Sequence, residues 1–311
     1  MRYGFALPVR GPLAVSDSLV AIAQAGERLG FHAATIADHI VFPTDVHSAY
    51  PYDASGRHPS TGDAIEQLSL MAFAAGRTER LRFLTSVMIL PHRNPVLAAK
   101  MIATIDVLSK GRVIVGVGVG WLREEFQALA APGFDRRGEV SDEYVAIMKT
   151  LWTQSPAQHS GTHYRFPPLR CEPKPWQEPH PPIWIGGHSR AAMRRAARLG
   201  DGWHPLGTVD TAVLSPAELA PMLKELRVMT EAEGRDFNAL ALSFVGRLRE
   251  QDAAAGANRM PFNGSFAQIR DDVAAYGKLG FSVLSFDFNR PTLAETLDRM
   301  ERFAGAVMRA T

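Results

Sequence analysis

LRFLTSVMILPHRNPVLAAKMIATIDVLSKGRVIVGVGVGW, residues 81–121, decides how the rest of the chain is read. Leu81 to Val87 is an apolar run of strand length. Asn94 followed by Pro95 is a helix start: a cap side chain, then a residue whose fixed φ suits the first turn. That helix runs to Ser109 and stops before Gly111. Arg112 to Val119 is again a strand, apolar throughout, as expected when both faces of a parallel sheet are covered. Strand, helix and strand in sequence make a βαβ unit.

The alternation extends in both directions. Upstream, Tyr3 to Leu7 reads as a first strand. Ser16 caps a helix whose Leu19, Ile22, Ala23, Gly26 and Leu29 recur at helical spacing, and Gly30 stops it. Ala33 to Ala37 is a second strand. A long irregular loop follows, Ile40 to about Gly62, and then a helix from about Ala64 to Ala75. Downstream, helices are expected over Leu122 to Leu129 and from about Ser141 to Trp152. The proline-dense stretch Thr153 to Pro182 breaks the rhythm and reads as an excursion after the fourth strand, with a hairpin near Gly161. Ile183 to Ile185, Gly202 to His204, Ala239 to Val245 and Phe281 to Phe288 are four further strands. Helices capped by Ser189, Ser215 and Ser265, and a last one from Thr292, follow them. Eight strands, each followed by a helix, argue for a closed (β/α)8 barrel, an α/β TIM-type fold, as a single domain over residues 1–311. An open doubly wound sheet is the alternative, but no composition shift divides the chain into halves.

Composition narrows the function. The chain has 311 residues, 46% apolar and 21% charged, with a formal net charge of +2. Its Lys and Arg are scattered rather than clustered, so nucleic acid is not an expected partner. A lone cysteine, Cys171, excludes an internal disulfide and fits a cytoplasmic setting. No run approaches the ~20 apolar residues of a membrane span.

In such a barrel the site is built at the carboxyl ends of the strands. That rule selects Asp38 and His39 after strand two; Thr85, Ser86 and Val87 closing strand three; and Gly118, Gly120 and Trp121 at strand four. It also selects Gly186, Gly187, His188 and Ser189 after strand five, and Trp203 and His204 in strand six. Gly-Gly-His-Ser before a helix suits a phosphate, because backbone N–H groups, a helix start and a hydroxyl converge there. An ordinary turn with Ser189 as cap is the competing reading. The glycines of Val113–Gly120 do not match the dinucleotide fingerprint G-x-G-x-x-G, and their small size suggests room for a flat ring. His159 and His163 have ligand spacing, but their segment is not helical and no further ligand completes a set, so no metal is expected. His92 is divided between lining the site and lying on the surface. His39 is the natural group for moving a proton near neutral pH.

Five segments, taken together, resemble the bacterial luciferase-like oxidoreductases: ADH at 37–39, LTSVMILPHRNPVLAAK at 84–100, TIDVLSKGRVIVGVGVGW at 104–121, EPKPWQEPHPPIWIGG at 172–187 and RRAARLGDGWHP at 194–205. The likeness is strongest up to about residue 205. It implies a barrel with a flavin-like ring across its carboxyl face, and the branch it resembles most uses the deazaflavin coenzyme F420. By position, Asp38 and His39 would face the ring, a non-prolyl cis peptide at Ser86–Val87 would back it, and Gly186, Gly187 and Ser189 would take the phosphate. Trp121 stands where some deazaflavin-dependent dehydrogenases have an acidic residue, which argues against a sugar-phosphate substrate. The resemblance implies hydride transfer between a diffusible deazaflavin and a small organic substrate. An FMN-dependent monooxygenase is the runner-up, and a non-catalytic flavin-binding barrel the third reading. Family analogy suggests a homodimer. The loop Ile40 to Gly62 is expected to act as a lid, with Tyr50, Pro51 and Tyr52 excluding water and Arg57 meeting an anionic tail.

Overall fold

A computed structural model describes residues 1–58 and 62–309. Its barrel strands, in chain order, are β1 (Arg2–Ala6), β2 (Ala33–Ile36), β3 (Arg82–Thr85), β4 (Val113–Gly118), β5 (Ile183–Gly186), β6 (Gly202–His204), β7 (Ala241–Gly246) and β8 (Val283–Phe286). Each pairs in parallel with the next, and β8 returns to β1 with Leu284 beside Tyr3, so the sheet closes. Strand periodicity sorts the side chains into two cores. Phe83, Val113, Val115, Ile183, Ile185 and Leu284 join the large core under the helices. Their neighbours Leu84, Ile114, Trp184 and Val283 form a separate buried cluster that plugs the barrel. Each such fully buried side chain contributes roughly 1.5–3 kcal/mol.

The helices are α1 (Ser16–Leu29), α2 (Gln67–Ala75), α3 (Pro95–Ser109), α4 (Arg123–Ala128), α5 (Arg137–Thr153), α6 (Arg190–Leu199), α7 (Pro216–Ala232), α8 (Phe266–Lys278) and α9 (Leu293–Phe303). The caps read at Asn94, Ser189, Ser215 and Ser265 all accept backbone N–H groups. Ser16 does not cap: Val15 holds the cap position, and the Ser16 hydroxyl donates to Asp17 instead. Helix α2 starts at Gln67 rather than Ala64, because Glu66 caps it through the Ser69 amide. Helix α5 starts at Arg137, a turn before Ser141.

The excursion after β4 contains the expected hairpin, with Ala157–Ser160 antiparallel to Arg165–Leu169. A second excursion, after β7, pairs Arg249–Glu250 with Asn263–Gly264. The third strand is not continuous to Val87. It stops at Thr85, the Ser86–Val87 peptide is cis, and pairing resumes at Met88–Ile89 against Val117 and Gly118. No helix among the described residues is long and apolar enough to cross a membrane.

Candidate active site

The carboxyl ends of the strands open onto a cleft of about 1130 Å³. That is above the usual range of ~300–1,000 Å³ for a single small ligand, so a cofactor and a substrate fit together. Its floor is Val87. A Cβ at Gly118 would lie 2.5 Å from Val87 Cγ2, and one at Gly186 would lie 2.7 Å from Cγ1. These two glycines are therefore small to admit Val87 between β4 and β5, not to leave open space for a ring.

His39 stands on the wall at the end of β2. Its Nδ1 lies 2.8 Å from Glu125 Oε2, and the Glu125 side chain is fully buried. Burial pushes the Glu125 carboxyl up, but the hydrogen bond and charge of His39, and the Ile40 amide, outweigh it and hold the group below its ordinary range. An ionised carboxylate only accepts, so Nδ1 carries the proton in this pair. The Nε2 atom has no hydrogen-bond partner among the described residues. A neutral His39 thus presents a lone pair to the cleft, and a protonated one presents N–H.

Around His39 lie Phe42, Tyr50, His58 and Trp121, with ring centroids 4.6–6.2 Å apart in successive contacts. Burial, then the charges of His39 and Arg10, push His58 down to about 4, so it adds no second positive charge near neutral pH. The loop that carries these rings is tied to α4 by two consecutive carboxylates. Glu125 Oε1 accepts from the Ile40 and Val41 amides at 2.8 and 3.3 Å, and Glu124 Oε1 accepts from His47 and Ser48 at 2.9 and 3.1 Å. The part of the expected lid at Pro59, Ser60 and Thr61 lies outside the described residues.

Four arginines line the cleft: Arg10, Arg137, Arg195 and Arg290. Arg195 is spoken for by Asp142, and Arg290 by Glu250 at 3.1 Å, whereas Arg10 and Arg137 have no carboxylate within ion-pair distance among the described residues. The Gly186–Ser189 turn lines the same cleft. Ser189 Oγ accepts from the Ala192 amide, which leaves its own proton to donate. His188 Nδ1 is buried there without a hydrogen-bond partner among the described residues. A buried orphan, a hydroxyl with a proton to donate, and guanidinium groups without carboxylate partners among the described residues fit the phosphate of a flavin-type cofactor.

Most of the residues expected at the site are brought together: Asp38, His39, Ser86, Val87, Gly118, Gly120, Trp121, Gly186, Gly187 and Ser189 all line the cleft. Thr85 sits behind the wall, with its hydroxyl donating to the Gly116 carbonyl at 2.7 Å. Asp38 borders the cleft, but its carboxylate is engaged. It accepts both Nη1 and Nη2 of Arg93 at 2.7 and 2.8 Å and the Ile89 amide at 2.8 Å, so it holds the chain just past the cis bond. Ser86 Oγ pairs with His204 Nε2 at 3.0 Å, and His204 Nδ1 pairs with Ser243 Oγ at 3.0 Å. Burial pushes His204 down to about 4, so this chain of hydrogen bonds is neutral. His92 is neither on the surface nor in the cleft; it is buried against Phe126, with Nδ1 3.7 Å from Glu125 Oε1. Glu125, Arg137, Arg195 and His58 escaped the strand-end rule because they stand on helices and on a long loop. The acidic pair Glu124–Glu125 opening a helix just past Trp121 was the one available signal.

A parallel (β/α)8 barrel with a cofactor-sized cleft lined by arginines and a His–Glu pair places the chain in the class of TIM-type barrels with a ligand cleft at the carboxyl ends of the strands. Within it, the chain belongs to the luciferase-like monooxygenase family, whose profile matches residues 1–304. It is 32% identical over 237 residues to the FMNH(2)-dependent dimethylsulfone monooxygenase of Pseudomonas putida, covering 75% of this chain and 59% of that one. The monooxygenase RslO1 from Streptomyces bottropensis superposes with a TM-score of 0.78 at 22% identity, over 100% of this chain and 99% of the other. The coenzyme F420-dependent tetrahydromethanopterin reductase from Methanopyrus kandleri superposes with a TM-score of 0.77 at 13% identity, over 99% of each chain. At these identities the two structures speak for the fold alone.

Proposed function

We propose that this chain transfers a hydride between the deazaflavin coenzyme F420 and a small organic substrate, with His39 moving the accompanying proton. The observation that carries this reading is the His39–Glu125 pair at the cleft wall. A deazaflavin, when bound, gives or takes a hydride at a ring carbon. Reducing a carbonyl leaves an oxygen that needs a proton, and oxidising an alcohol releases one. His39 Nε2 is the atom positioned to supply or accept it. Glu125 fixes the tautomer and offsets the charge of the imidazolium that forms. Phe42, Tyr50, His58 and Trp121 wall the reacting atoms from water. Val87 supports the ring, while Ser189, the Gly186–Gly187 amides, His188 and Arg137 take the phosphate. Ser86, positioned by His204, is placed to donate to the ring.

A second reading has its own support. The relative from Pseudomonas putida is named for FMNH(2), and the same cleft would hold a flavin. The two readings part at His39. Replacing His39 with Ala leaves deazaflavin binding within a few-fold and lowers turnover by ~10²–10⁴, the usual worth of a general acid or base. Turnover left intact at saturating cofactor assigns the proton to another group and removes the main support for hydride transfer.

A further inference from the structure

A second hollow, of about 390 Å³, lies at the end of the barrel opposite the cleft, where the amino ends of β1, β2 and β3 meet. Arg2, His32, Arg80 and Arg82 line it, with Tyr3 and Phe31 beside them. Three arginines facing one space repel one another, with His32 neutral beside them, and the nearby acids among the described residues also hold other groups. Glu27 Oε1 accepts from the Glu79, Arg80 and Leu81 amides. Asp106 holds Gln177 through both oxygens. Glu79 approaches Arg80 only to 3.8 Å, with both side chains largely exposed.

The donors themselves are under-used. Arg82 Nη2 donates to Gln177 Oε1 at 2.9 Å, but Arg82 Nε is buried without a partner among the described residues. Among the described residues, the Arg2 guanidinium reaches only the Ser282 hydroxyl, at 3.4 Å. Burial, then the charges of Arg2 and Arg82, push His32 down to about 4. Arg82 is likewise pushed down by burial and by Arg2. Groups that repel one another this way, around an accessible space, are arranged for an anion that supplies the missing charge.

We propose that this hollow binds a tetrahedral oxyanion, either free phosphate or the phosphate group of a small monoester. Guanidinium forks match phosphate oxygens two at a time, and Arg2 and Arg80 bring exposed guanidinium groups to the hollow. The hollow is larger than one phosphate requires, and Tyr3 and Phe31 offer an apolar wall to a short ester chain. The site lies on the face of the barrel that serves stability rather than chemistry, so its occupant acts by binding the folded state in preference to the unfolded one.

The test uses the intact protein. Inorganic phosphate and methyl phosphate are titrated separately, with chloride replacing them at matched ionic strength, while heat of binding and melting temperature are followed. Both anions are expected to bind saturably and raise the melting temperature, and the tighter of the two identifies the source. The Arg2→Gln/Arg82→Gln double variant is expected to bind at least tenfold more weakly. The ring signals of His32 are expected to shift with phosphate in the parent and not in the variant. Should the double variant fail to fold, Arg2→Gln alone carries the test, because Arg2 lies on the exposed rim. A rise in melting temperature that chloride reproduces, or equal binding by parent and variant, overturns the proposal.

Discussion

Replacing Glu125 with Gln separates the two duties this carboxylate performs. Its Oε2 takes the proton of His39 Nδ1 at 2.8 Å, and its Oε1 takes the Ile40 and Val41 amides at 2.8 and 3.3 Å. An amide has one accepting oxygen. If that oxygen serves the loop, the NH2 faces His39, and the imidazole must present a lone pair at Nδ1 and carry its proton on Nε2. If the oxygen serves His39, two loop amides face an NH2. Hydrogen bonds to a charged group are worth ~1.5–3 kcal/mol each, and the variant loses the equivalent of one to two of them. The neutral amide avoids part of the desolvation that the buried carboxylate suffers, so the net loss of stability is about 2–4 kcal/mol. Turnover falls by ~10²–10⁴, because the tautomer that acts as a base at Nε2 is disfavoured. Equilibrium denaturation measures the first effect, and ¹⁵N shifts of the His39 ring, read beside turnover, measure the second. A variant less than about 0.5 kcal/mol weaker than the parent, with Nδ1 still protonated and turnover unchanged, would refute the role given to the pair.

The companion carboxylate gives a pH prediction. Burial pushes Glu124 up, but the hydrogen bonds from Ser48 and the His47 amide outweigh it and hold the group at about 2. A depressed carboxyl stabilises the fold above its ordinary value of 4.5, and that contribution is lost as pH falls toward about 2. The Trp121 fluorescence, sensitive to Tyr50 on the tethered loop, is expected to change across that window in the parent and to stay flat in Glu124→Gln. The glycine floor gives a steric one. Gly118→Ala puts a methyl 2.5 Å from Val87 and is expected to cost about 1–3 kcal/mol and weaken cofactor binding. Adding Val87→Ala is expected to restore most of that stability, and a double-mutant cycle showing strict additivity would contradict the contact.

Much of this architecture is written locally. Helix α3 announces itself through Asn94, Pro95 and the stop at Gly111, and β4 through an unbroken apolar run. The strand-end rule then finds the cleft wall, since position after a strand is a local property. Residues that reach the cleft from other elements are not legible in the same way. Glu125 meets His39 across 86 positions of sequence, and Arg195 stands on the side of a helix. The cap at Ser16 misled because Val15 already takes the extended conformation and the Ser16 hydroxyl finds Asp17. Gly118 read as room for a flat ring, but Val87 fills that space, and this contact became visible only once the barrel was closed.

A paired titration decides between F420 and FMN as the cofactor. Oxidised F420 and FMN are titrated into the same preparation under matched salt, following absorbance and fluorescence. The reduced form of each is then mixed with air-saturated and oxygen-free buffer. Arg10 and Arg137 lining the cleft, which have no carboxylate partners among the described residues, favour the more anionic cofactor. The predicted result is at least tenfold tighter binding of F420, with the bound reduced form stable to oxygen and reoxidised only by an organic acceptor. Tighter binding of FMN, with oxygen consumed in proportion to reduced flavin, would contradict the hydride-transfer reading and make the chain a flavin monooxygenase.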